Sequence, residues 1–180
     1  MNFTDNKIAS NKGESKTIAK SFTPKLHNVS TDIIVIGKKP YAKTYRAFLE
    51  KRAVSGIQGK SWLFVEHNEF VKDQAYRQRL TDYQKRGIVN RLDVIFDDKT
   101  TVEDKLLSKS HTVYEWIEGG ADFYVYGDLH NGLAKDIAKV LAKIVKEQAK
   151  ISDVQADIYV ANLKRERRFF SDVDLEIGIF

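Results

Sequence analysis

Asp32-Ile33-Ile34-Val35-Ile36-Gly37 reads as a strand buried on both faces, because four aliphatic residues follow one another with no polar residue between them and a glycine ends the run. A strand wetted on one face would alternate. Before it, residues 1–30 are rich in Ser, Thr, Asn and Lys and hold only isolated hydrophobics, so they predict a polar, partly disordered arm. After it the chain alternates between two periods. Residues from Tyr41 to about Val54 carry Tyr45, Phe48 and Leu49 at helical spacing; Ser61-Trp62-Leu63-Phe64-Val65 reads as a second strand. A helix from Phe70 to about Arg86 stops at Gly87, Arg91 to Phe96 reads as a third strand, and Val102 to Ile117 as a helix ended by Gly119-Gly120. Ala121 to Tyr126 is then a strand closed by Gly127-Asp128, followed by helices from Leu133 to about Gln148 and from Ser152, a candidate N-cap, to Leu163. Phe169 and Phe170 fall in a final edge strand, where aromatics are expected in the core.

Strands alternating with helices of this length imply right-handed crossovers. The expected fold is therefore α/β: a doubly wound, mainly parallel five-stranded sheet with helices on both faces, spanning residues 31–174 and followed by an extension, 175–180. Ligands of such sheets bind beyond the carboxyl ends of the strands, which makes residues 37–44, 66–69, 97–100 and 127–132 the informative ones.

Composition narrows the chemistry. The 180 residues are 42% hydrophobic, with two Trp, eight Tyr and ten Phe, enough for one core. There is no Cys, which removes disulfides, thiolate metal sites and thiol nucleophiles and suits a cytoplasmic setting. No apolar run is long enough for a membrane span. The net charge of +5 permits attraction to phosphate or acidic surfaces, and its local clusters, Lys38-Lys39 and Lys164-Arg165-Glu166-Arg167-Arg168, read as solvated faces. Nucleic acid is not an expected partner, since no recognition motif or aromatic platform accompanies the charge. His27, His67, His111 and His130 lack metal-ligand spacing, and no nucleophile elbow or Walker loop is present, so neither a metal site nor a catalytic residue is expected.

Several stretches, in order, carry a resemblance: TDIIVIG, YRAFLEKRAVSGIQGKSWLF, GIVNRLDVIF, WIEGGADFYVYGD, LAKDIAKVL and ERRFFSDV. From about residue 22 to 173 the chain resembles the C-terminal, ferredoxin-reductase-type NADPH-binding module of sulfite reductase flavoproteins and other diflavin reductases. That resemblance implies a module that takes hydride from NADPH and passes it to an FAD held by a preceding barrel; no FAD site is expected within this chain. Gly37, Thr44, Tyr126, Gly127 and Asp128 stand at the family's cofactor-facing positions.

The same positions depart from the family's pattern. Its Gly-x-Gly-Thr-Gly-x-Ala-Pro loop, whose small residues admit a pyrophosphate to the backbone amides, is here Gly37-Lys38-Lys39-Pro40-Tyr41-Ala42-Lys43-Thr44. The Ser-Arg pair that holds the 2′-phosphate is replaced by Asp97-Asp98-Lys99-Thr100, whose carboxylates repel it. The family's Cys-Gly-Asp is Tyr126-Gly127-Asp128, and Asp174 stands where a flavin-stacking aromatic is usual. The expectation is a degenerate module with no tightly bound cofactor and no hydride transfer on its own. The alternative is a working module that passes electrons from NAD(P)H to a separate flavin-bearing protein. Either reading admits a flavin-bearing or other protein partner.

Overall fold

The computed structural model describes residues 30–37, 49–56, 58–66, 72–96, 99–127 and 132–171. Five strands form one sheet: β1 (Ile33–Gly37), β2 (Ser61–Glu66), β3 (Arg91–Ile95), β4 (Asp122–Tyr126) and β5 (Phe169–Ser171), in the order β3-β2-β1-β4-β5. All four pairings are parallel, so the expected doubly wound sheet is present and its described strands include no antiparallel one. Helical residues 49–54 (α1) and α2 (Gln74–Lys85) connect the first three strands; α3 (Val102–Ser108), α4 (Ser110–Glu118), α5 (Leu133–Ala149) and α6 (Asp153–Arg165) connect the rest.

The two faces of β1 explain its unbroken apolar run. Ile33 and Val35 pack in a cluster with Leu49 of α1 and Tyr76, Leu80 and Tyr83 of α2. Ile34 and Ile36 pack on the other face with residues of α3 to α6, including Leu106, Ile117, Leu141 and Val160. Phe169 and Phe170 divide between those layers, stacking on Phe123 and Tyr124 at ring-centroid distances of 6.4 and 4.9 Å. Trp62 is fully buried, lies 5.4 Å edge-on from Trp116 and donates its indole N–H to Asp93 at 2.8 Å. The guanidinium of Arg91 lies 4.3 Å from the indole ring centre. A polar handle thus sits on a large apolar body, and both are satisfied.

Local chemistry sets the helix ends. Ser152 is the expected N-cap and forms a reciprocal capping box with Gln155, and Thr101 with Asp104 forms another. Asp73 caps α2 by accepting from the Tyr76 amide at 2.8 Å, and Lys72 just before it is helical too, while Phe70, the expected start of the helix, lies outside the described residues. The continuous helix expected from Val102 to Ile117 is in fact broken at Lys109, whose φ and ψ are −113° and 17°. Ser108 Oγ donates to the Lys105 carbonyl at 2.7 Å beside that break, the local competition that favours a helix end. Periodicity could not show it. Val102, Leu106, Val113 and Ile117 keep helical phase across the break and all reach the same core cluster.

The start of β1 is registered on β2 by a close backbone approach. The Ile33 amide donates to the Lys60 carbonyl at 2.8 Å, and the Lys60 amide donates to Asp32 Oδ1 at 2.7 Å. Gly59 lies against this clasp, and a Cβ there would stand 2.1 Å from the Thr31 carbonyl oxygen. Backbone cannot swing aside as a side chain can. Gly59→Ala is expected to lower the unfolding free energy by about 1–3 kcal/mol, the usual cost of overpacking, measured by urea titration; an unchanged midpoint would refute the clasp.

Candidate functional site

The strand order places the switch of the sheet between β1 and β4. The chain leaves β1 toward β2 on one side and returns from β3 to β4 on the other, and in sheets of this order ligands bind beyond the carboxyl ends of the two strands that flank the switch. Gly37 and Tyr126 are register partners across that point, with Val65 on the other side of Gly37. Gly127 follows at φ 105°, a conformation that glycine adopts without strain, and it is buried.

Three of the five sequence-derived positions, Gly37, Tyr126 and Gly127, are therefore brought together. Thr44 and Asp128 lie outside the described residues, as do Lys38, Lys39, Pro40, Tyr41, Asp97 and Asp98. Tyr126 is only 1% exposed, and its ring belongs to the core cluster on the α1–α2 face with Val65 and Tyr76. The Tyr126 side chain thus fills the sheet–helix layer. On the neighbouring rim, Phe96 is 66% exposed at the end of β3, and Asp104 is held below the ordinary carboxylate range by hydrogen bonds from the Thr101 backbone and hydroxyl. His111 is exposed on α4, near Gln148 and Glu115, and no group of three or more potential metal ligands occurs among the described residues.

At the opposite, amino-terminal end of the sheet lies a buried charge cluster that reading the sequence missed. Arg52 on α1 is 2% exposed and donates to the Gly59 carbonyl at 2.6 Å. Asp122, the first residue of β4, is 7% exposed, with Arg168 Nε 4.0 Å from its carboxylate. Arg168 in turn donates to the carbonyls of Ile117 and Ala121 at 2.6 and 3.1 Å, so the last residue of the presumed solvated run turns inward. Burial pushes the Asp122 carboxyl up to about 6, partly offset by Arg168 and Arg52, and lowers Arg52 to about 10. The sequence held one hint: Asp122 is the only acid in the run Ala121 to Tyr126.

The sheet order defines the class: a doubly wound parallel α/β module with its switch at Gly37 and Tyr126. No family model matches the chain. Among curated proteins, 150 residues, 81% of the chain, are 35% identical to the sulfite reductase [NADPH] flavoprotein alpha-component of Pectobacterium atrosepticum, covering 24% of that protein. The proteins of the same name from Klebsiella pneumoniae and Yersinia pestis bv. Antiqua match equally, at 35% over 150 residues, each covered to 25%. The chain is a homologue of the sulfite reductase flavoprotein alpha-component, as its motifs imply, and spans about a quarter of the length of these relatives.

The buried carboxyl makes stability depend on pH in a defined window. An unfolded Asp titrates near pH 3.9, so between about pH 4 and 6 the native Asp122 keeps a proton that the unfolded chain has lost, and stability falls as pH rises. Above about pH 6 the penalty is complete. Asp122→Asn removes it: the unfolding free energy of the variant minus that of the parent should grow by roughly 2 kcal/mol from pH 4 to pH 7. Denaturant titrations at the two pH values check this, and a pH-independent difference would refute it.

Proposed function

We propose that this chain is a degenerate relative of the NADPH-binding module of flavoproteins, one whose dinucleotide binding is lost or much weakened and which transfers no hydride on its own. The observation that carries the reading is the side chain at the switch. Where the resembled family places a thiol beside the nicotinamide, this chain has Tyr126, packed into the core with Tyr76 and Val65. Nothing in a buried phenol does the work of that thiol. The sequence around it agrees: lysines, a proline and a tyrosine replace the small residues of the phosphate loop, and Asp97-Asp98 bring negative charge to the position of the 2′-phosphate site. The partner class that fits is a flavin-bearing or other protein, met in the cytoplasm.

A second reading, electron transfer from NAD(P)H to flavin on a separate protein, draws on the turn at Gly127, which keeps the family's glycine with a φ of 105° beside Gly37. Calorimetric titration with NADPH and NADH separates the two. The degenerate module should give no saturable heat with either dinucleotide up to about 1 mM, which corresponds to binding weaker than about −4 kcal/mol. A micromolar dissociation constant for either would overturn the first reading in favour of the second.

A further inference from the structure

The buried face of α6 is made by Ala156, Val160 and Leu163. Directly opposite, pointing away from the core, Val154 and Ile158 are 68% and 56% exposed, and Ala161 and Arg165 are exposed with them. These four residues follow one another at spacings of four, three and four. At 100° per residue they stay within an arc of about 60° along a length of about 17 Å, which is the d-a-d-a pattern of a short heptad seam. A lone exposed aliphatic residue needs no explanation, but two of the four large hydrophobics exposed among the described residues share this one stripe.

The flanks of the seam are unlike each other. Asp157 and Lys164 border one side, the acid in the first half of the helix and the base in the second; Gln155 and Asn162 border the other. Neither Asp157 nor Lys164 makes an ion pair with the described residues, and Lys164 Nζ lies 5.1 Å from the ring centre of Phe169. A surface with acid at one end, base at the other and an apolar line between is complementary to itself when reversed.

We propose that α6 pairs with α6 of a second copy of this chain, antiparallel about a twofold axis that passes between Ile158 and Ala161. In that register Ile158 packs on the other copy's Ala161, twice, and Val154 packs on the aliphatic stem of Arg165 while the guanidinium stays in water. Asp157 meets the other copy's Lys164 on one flank, also twice, and Gln155 meets Asn162 on the other. Charge complementarity selects this occupant. A parallel pair would set Asp157 against Asn162 and leave both charges unanswered, and an anionic membrane would meet Asp157 with only two aliphatic side chains to insert. Acid early and base late in a helix also suit its dipole within one chain, a role that needs no second copy, and the experiment separates the two. Two short helices bury little surface, which places the contact among weak, concentration-dependent ones. No residue of the Gly37–Tyr126 switch takes part, so the pairing stands apart from dinucleotide binding.

The test is sedimentation equilibrium of the full chain at low salt, from about 10 to 500 μM protein, a range that reports weak association. The parent should pass from monomer to dimer across it. Ile158→Glu should remove the dimer, and Asp157→Lys and Lys164→Asp should each weaken self-association about tenfold or more by setting like charges together. Mixed in equal amounts, the Asp157→Lys and Lys164→Asp chains should associate with each other as well as the parent does with itself, which also shows that both are folded. A dipole role alone predicts no such rescue. A parent that stays monomeric throughout, a dimer indifferent to Ile158→Glu or to the charge reversals, or a mixture that fails to associate would each overturn the proposal.

Discussion

Everything in this molecule is arranged around β1, a strand that hydrogen-bonds to parallel neighbours along both edges and is covered by helices on both faces. A strand in that position has no contact with water, so each backbone group must find its partner in β2 or β4 and each side chain must be apolar. The run Ile33 to Ile36 meets the second condition and the register meets the first. Because parallel neighbours cannot be joined by tight turns, helices must cross over each face, and the switch at the carboxyl end of β1 follows from that requirement.

The two ends of the sheet have different physical characters. At the carboxyl end, Gly37 and Gly127 keep the backbone compact while Tyr126 fills the layer beneath it. At the amino end, charge is buried: Arg52 ties α1 to the Gly59 carbonyl ahead of β2, and Arg168 ties the approach to β5 to the start of β4 through carbonyls and a long ion pair with Asp122. Such a cluster is costly to desolvate, and its geometry serves to hold segments in place more than to add stability. Arg52 in particular secures α1 to the backbone at Gly59, which itself lies against Thr31, so helix, loop and strand start are joined within a few residues.

Homology and site chemistry answer separate questions. Identity of 35% over 81% of the chain speaks for a common fold, whose core tolerates only apolar residues of suitable volume. The degeneracy proposed for this chain concerns positions free of that constraint: the glycine loop, the acidic pair after β3 and Tyr126. A shared fold therefore does not by itself carry an activity.

The sequence by itself determined the strands and their parallel pairing, because a doubly buried strand must be continuously apolar and a crossover helix must be amphipathic, and both periods are visible along one chain. It also marked Ser152 as a helix start and placed Phe169 and Phe170 in the core. Only the tertiary structure decided the rest. The break at Lys109 was hidden because the apolar residues on either side keep the same phase, and the inward turn of Arg168 because a charge run looks alike whether its last member meets solvent or a carbonyl. Arg52 and Asp122, 70 positions apart, become one buried cluster only when β1 and β4 pair, and Tyr126 is seen to fill the core beside Gly37 for the same reason. Periodicity reports what each segment must hide; which segments hide it from one another is set by distances that exist only in the folded chain.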